Sequence, residues 1–278
     1  MFKIAYCAGH FSGTPGKRLP AELDPAQTRE WTLNDRVADH FAKAAAQYEG
    51  VELLRTDDPT GKEDILIKDR TAKANAWGAD VYVDMHHNAG IDLGAGGGVV
   101  AFCYPGSAKG RQYRDAIYQA VIAAGGLKGN RSQPLQEKKF DSLRYASAPA
   151  VLMEYGFMDS RTDAPVILTD DYAKAVAYAT MEGIAQVAGL KKKPAAPAVK
   201  HREGCAVELE MLEKGSRGGP VKAMQLLLIG NGYPCGATGA DGDFGANTDA
   251  ALRLYQKAKG LTADGICGEK TWGKLLGG

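Results

Sequence analysis

Between Lys191 and Lys200 the chain reads KKKPAAPAVK, a run of lysine, proline and alanine with no apolar periodicity. Proline fixes φ and withholds an amide donor, so such a run is expected to be an extended linker, not part of a packed element. No single core can run through it. It leaves about 190 residues before it and about 75 after it, both sizes that fold alone. The expected boundaries are 1–190 for a first domain, 191–205 for a linker and 206–278 for a second domain. The triple lysine at its start reads as a solvated linker end.

The first part alternates short β-prone runs with helical patterns. FKIAY opens the chain, followed by VELL from Val51, DVYVDM from Asp80, GVVAF from Gly98 and AVLMEY from Ala150. Between them Leu33, Val37 and Phe41 recur at four-residue spacing, as do Tyr113, Ile117 and Val121, and residues 171–187 repeat Ala and Ile at helical intervals. This alternation predicts an α/β domain with a mostly parallel twisted sheet flanked by helices.

The second part contains a repeat, D-G-x-x-G-x-x-T, at Asp241 to Thr248 and again at Asp264 to Thr271. Each copy reads as a tight Asp-Gly turn, a second glycine suited to positive φ, and a threonine capping the next helix. With Val221, Met224, Leu227 and Leu228 marking a helix ahead of them, these copies predict a small all-α three-helix domain. An EF-hand calcium loop is the sharper reading of the acids, but its alternating acids and terminal Glu are missing.

A formal net charge of +1 and the lack of a basic stripe argue against a nucleic-acid partner. The five cysteines lack C-x-x-C spacing and read as mostly free thiols. The opening apolar run is too short for a signal peptide, and no stretch approaches a membrane span, so cytoplasmic synthesis without stable membrane insertion is expected.

Ligands of open α/β sheets bind beyond the carboxyl ends of the strands, which directs attention to the residues after each run. The first run ends in Ala8-Gly9-His10, the third in His86-His87-Asn88, and the fifth carries Glu154; Glu30 opens the helix beginning near Thr28. Two imidazoles and two carboxylates thus converge on one edge. Such a set suits a catalytic Zn²⁺ with a carboxylate nearby to accept a proton. Scattered, satisfied polar groups are the competing reading of the spacing alone.

AGH, the EWTLN stretch with Glu30, MHHNA and PAVLMEYGFM resemble, in this order, the zinc-dependent N-acetylmuramoyl-L-alanine amidases of type 3 over most of residues 1–190. EKGSRGGPVKAMQLLL and the repeat that follows resemble the type 1 peptidoglycan-binding domain over Leu212 to Leu276. The resemblance implies one Zn²⁺ per catalytic domain, held by His10, Glu30 and His86, with Glu154 as the catalytic carboxylate. It implies bacterial peptidoglycan as partner and cleavage between N-acetylmuramic acid and L-alanine. Around these, His87 is read as a substrate contact or a half-exposed structural histidine. Asn88 is read as a turn residue or one that holds the His86 loop by hydrogen bonds, and Arg70 in KDRTAKAN as matching a family position on a helix, in a structural ion pair or, as the competing reading, near substrate. Tyr233, Tyr255 and Trp272 are the candidates for wall contact, with core packing as the competing reading.

The chain departs from the family where an acidic residue and a proline usually precede the first histidine and Gly-Gly follows it. Here Cys7 and Ala8 precede His10 and Phe11-Ser12 follow. Cys7 is expected to be buried and inert. The biological setting expected is a phage or prophage endolysin acting at the wall after release. A bacterial autolysin, a wall-binding protein that no longer catalyses, and a peptidase cutting within the stem peptide are the alternatives.

Overall fold

The structure, a computed structural model, describes residues 1–193 and 209–276. The chain divides into two compact units, Met1–Ala196 and Pro197–Gly278. Residues 194–205 of the expected linker lie outside the described residues. Its first three residues are not free. Lys191 accepts from the Glu49 amide, Lys193 donates to Gln47, and Lys192 bridges Tyr48, so the triple lysine is strapped to the first unit.

The first unit is built in the order β1 (Phe2–Ala8), α1 (Glu30–Ala45), β2 (Val51–Arg55), α2 (Ile67–Trp77), β3 (Val81–Asn88), β4 (Val100–Cys103), α3 (Ala108–Ala123), β5 (Leu135–Glu137), α4 (Asp141–Tyr145), β6 (Ala150–Phe157), α5 (Ala164–Ile167) and α6 (Asp170–Ala188). The six strands form one sheet in the order β2-β1-β3-β6-β4-β5. All pairings are parallel except β4 with β6. The mostly parallel α/β sheet is thus present, with one edge strand that pattern reading missed. At three residues, Leu-Gln-Glu, β5 is too short to show alternation.

Side chains alternate across the sheet. Val81, Val83 and Met85 of β3 face a core shared with α1, α3 and α6, whereas Tyr82 faces a smaller core with Ala74 of α2 and Leu143 of α4. Helix α1 has no side-chain cap at Arg29, and forgoes roughly 1 kcal/mol by that. Leu33, Val37 and Phe41 are fully buried at about 1.5–3 kcal/mol each. Its buried face, not its end, therefore decides its stability.

The second unit holds α7 (Gly219–Gly230), α8 (Ala246–Ala258) and α9 (Glu269–Leu275) around its own core of Leu212, Val221, Met224, Leu228, Phe244, Leu252, Tyr255 and Trp272. Each copy of the repeat is gripped by a glutamine from the preceding helix. Gln225 Nε2 lies 2.9 Å from Asp241 Oδ1, 3.0 Å from Asp243 O and 3.0 Å from Thr248 Oγ1, while its Oε1 accepts from the Gly242 amide at 2.8 Å. Gln256 repeats the pattern on Asp264, Ile266, Thr271 and Gly265. Two expectations change. The threonines are not caps but third residues of their helices, locked to the glutamines, with Gly245 and Gly268 as caps. Positive φ belongs to the first glycine of each copy, Gly242 at 81° and Gly265 at 73°.

Cys7, Cys103, Cys235 and Cys267 are free and buried; Cys205 lies outside the described residues. Among the described residues no helix is long and apolar enough to cross a membrane.

Candidate active site

His10 follows β1 with φ 66°, a left-handed conformation that costs a non-glycine residue about 1–2 kcal/mol. Arg70 of α2 holds the turn. Its guanidinium donates to Ala8 O at 2.9 Å, His10 O at 2.7 Å and Ile65 O at 2.7 Å. The ion pair expected of Arg70 is therefore replaced by bonds to three main-chain carbonyls, which need a fork of donors and no countercharge.

His86, near the end of β3, lays its ring against Gly9. A Cβ on Gly9 would stand 2.0 Å from His86 Cε1, so only glycine fits beside the ring. Glu30, fully buried at the start of α1, completes the cluster. Its Oε1 lies 3.2 Å from His10 Nε2 and 3.1 Å from His86 Nδ1, and one ligand atom from each of the three residues lies within 4.8 Å of the others. Burial alone would push the Glu30 carboxyl up. Hydrogen bonds from His10 and His86 outweigh that and hold it well below the usual carboxylate range. Lys17 Nζ lies 3.3 Å from Oε2 without the geometry of a hydrogen bond.

Glu154 of β6 pairs with His86 in the parallel β3–β6 ladder. Its Oε2 is out of solvent and has no hydrogen-bond partner. Burial pushes its pKa up to about 8, against the pull of charge on His86. A carboxyl poised there exchanges protons near neutral pH.

His87 points the other way. Only 2% exposed, it donates from Nδ1 to Asn34 Oδ1 at 2.8 Å, and Asn34 in turn donates to Gly9 O. Burial lowers its pKa to about 3, so it stays neutral. The expectation of a half-exposed residue or substrate contact is corrected: strand alternation sends it to the α1 side of the sheet. Asn88 bonds its own neighbour, Ala89 N, through its side chain, and its carbonyl accepts from Met158; the Asn88 side chain does not bond His86.

Sequence reading missed Asp84. Its Oδ1 lies 3.1 Å from His86 Nε2 and 3.0 Å from Cys7 Sγ. The available signal was period 2, because Asp84 and His86 share a face of β3. A cleft of about 450 Å³ opens beside both, lined also by His10, Arg70, Tyr82 and Tyr145. A larger groove of about 780 Å³ between α3 and α6 contains none of these residues.

Residues 4–186 match the family model of the N-acetylmuramoyl-L-alanine amidases. The chain belongs to this amidase family. Residues 217–275 match the model of a peptidoglycan binding domain, so the amidase carries a second unit directed at the same polymer. The amidase CwlM of Bacillus licheniformis is 30% identical over 70% of this chain and 72% of its own length. A sporulation-specific amidase of Bacillus subtilis is 32% identical over 69% and 70%. An endolysin of Bacillus phage SPP1 is 35% identical over about half of each chain, 49% and 50%. Among solved structures, an N-acetylmuramoyl-L-alanine amidase from Clostridium difficile 630 shares the fold with a TM-score of 0.60 at 20% identity, covering 68% of this chain and 97% of that one.

The three aromatics named for wall contact in this amidase have different fates. Tyr255 is fully buried, edge-on to Tyr233, and Trp272 is 3% exposed with its indole N–H on Glu210 O. Rings enclosed in the core offer no face to a ligand, which corrects both. Tyr233 alone is half-buried, and lines a groove of about 650 Å³ with Pro234, Asn247 and Leu254.

Proposed function

We propose that the first unit is a zinc-dependent hydrolase of the amide between N-acetylmuramic acid and L-alanine. In this reading, His10, Glu30 and His86 hold one Zn²⁺ and Glu154 carries the proton. The observation behind this reading is the convergence of two imidazole nitrogens and a buried carboxylate oxygen within 4.8 Å, beside a second carboxyl with an orphaned oxygen. The residues fit the group. Nitrogen and carboxylate donors in a set of three are what a catalytic zinc site uses, and lone pairs packed this closely repel unless a cation or protons lie between them. Zinc is also a general feature of the family.

A zinc ion bound there supplies Lewis-acid polarisation of the scissile carbonyl and of the attacking water. Glu154 accepts a proton from that water as its oxygen bonds to the lactyl carbonyl carbon. It then donates the proton to the alanine nitrogen as the C–N bond breaks, because an amine leaves poorly until protonated. The second unit raises the local concentration of enzyme on an insoluble wall.

Purified protein should hold stoichiometric zinc and release new L-alanine amino termini from wall material. No zinc would favour a pure wall-binding protein, and a different amino terminus would favour a peptidase. For the biological setting we propose lysis of a host by a phage or prophage, supported by the likeness to the SPP1 endolysin. The likeness to the sporulation-specific amidase favours a bacterial autolysin instead. Cells expressing the chain should stay intact until a pore-forming peptide opens the membrane; lysis or altered cell separation without it would favour the autolysin.

A further inference from the structure

Asp84 is 4% exposed, and a buried carboxylate persists only where donors surround it. Two donors are His86 Nε2 at 3.1 Å and Cys7 Sγ at 3.0 Å, and Cys7 Sγ is itself 3.1 Å from Tyr82 OH. Cys7 and Asp84 stand directly opposite each other in the parallel β1–β3 ladder. The four side chains therefore form one line, buried from Tyr82 through Cys7 to Asp84 and ending on the partly exposed His86 ring that Glu30 meets from its other nitrogen.

An ionised carboxylate accepts and never donates, so the nitrogen facing it must carry a proton. We propose that Asp84 is a positioning residue: it holds His86 by the Nε2 proton and so leaves Nδ1, the nitrogen that faces Glu30, as the one to ligate zinc. Cys7 stands opposite Asp84 with its Sγ 3.0 Å from the carboxylate, so an acid placed at position 7 would reach the same small space. A thiol opposite the Asp84 carboxylate is a donor, whereas a second buried carboxylate would repel it. This inference rests on the zinc reading above.

The test is zinc binding, measured with the full chain by competition against a chromophoric chelator. Asp84→Ala should weaken zinc binding by about 10- to 100-fold, the usual cost of removing the group that orients a ligating histidine. Adding Cys7→Asp to Asp84→Ala should recover most of that loss, which a general packing defect would not permit. Independently of any variant, ¹⁵N spectra of the zinc-loaded wild-type protein should show His86 protonated at Nε2 and metallated at Nδ1. Wild-type affinity in Asp84→Ala, no recovery in the double variant, or ligation through Nε2 would each overturn the proposal. A wild-type protein that takes up no zinc would overturn the zinc reading as well, and this shows before any variant is made.

Discussion

The two units bury polar groups in opposite ways. In the first, Glu154 Oε2 and His87 Nε2 are out of solvent with no hydrogen-bond partner, and Glu30 Oε2 has only a nearby ammonium. In the second, the amides of Gln225 and Gln256 are satisfied at both ends by the loops they grip, and the Tyr255 hydroxyl is the orphan among the described residues. Each orphan costs about 1–3 kcal/mol. Unpaired atoms also lie on Trp31 and Asp159, so an orphan points to a candidate site only where, as at Glu154, it stands beside the cluster of His10, Glu30 and His86.

The contrast can be broken at both ends. The largest effect is expected at Glu154: Glu154→Gln should cut hydrolysis by about 10²–10⁴-fold while zinc content stays at the wild-type level. An active variant removes the proton-carrier role. Next comes Gly9→Ala, where the added methyl meets the His86 ring; zinc affinity should fall about tenfold or more by chelator competition. Gln225→Ala should destabilise the second unit by about 1–3 kcal/mol in urea, leaving hydrolysis of soluble fragments unchanged and weakening retention on intact walls. The smallest effect is in pH, and it should differ in sign between the units. The Asp243 amide and Gln225 hold Asp241 at about 2 against a usual 3.8, so its contribution is present above about 3.8 and lost as pH falls toward 2. Glu154, raised to about 8, does the reverse in chelator-treated protein: the stability of its protonated form is present below 4.5 and lost as pH rises through 8. Thermal melts of wild type against Asp241→Asn and Glu154→Gln should show each slope vanish in turn.

Much of the fold was legible because its signals are periodic. Leu33, Val37 and Phe41 marked α1, and the apolar runs marked every strand long enough to alternate. The three-residue β5 and the five-residue α4 offer no period to read. The site was legible as strand ends, which brought His10, His86 and Glu154 to one edge and Glu30 to the helix above it. What escaped was the direction of individual side chains. His87 was misplaced although alternation opposes it to His86, and Asp84 was overlooked although alternation puts it on the same face. Arg70 could not be assigned from its charge, because its partners are carbonyls of a turn whose left-handed residue is invisible in the letters. The threonines of the repeat misled for a similar reason: their partners, Gln225 and Gln256, lie outside the repeated motif.

The pairing of His86 with Glu154 across β3 and β6 makes the sheet a ruler. Neighbouring strands lie about 4.8 Å apart whatever loops surround them, so the spacing between His86 and Glu154 is a property of the backbone lattice. Loops at the rim, apart from the turn that carries His10, are then free to diverge without moving this pair. Grafting rim segments from amidases with other wall preferences onto this sheet should change which stem peptides are accepted while leaving the reactive geometry as it stands.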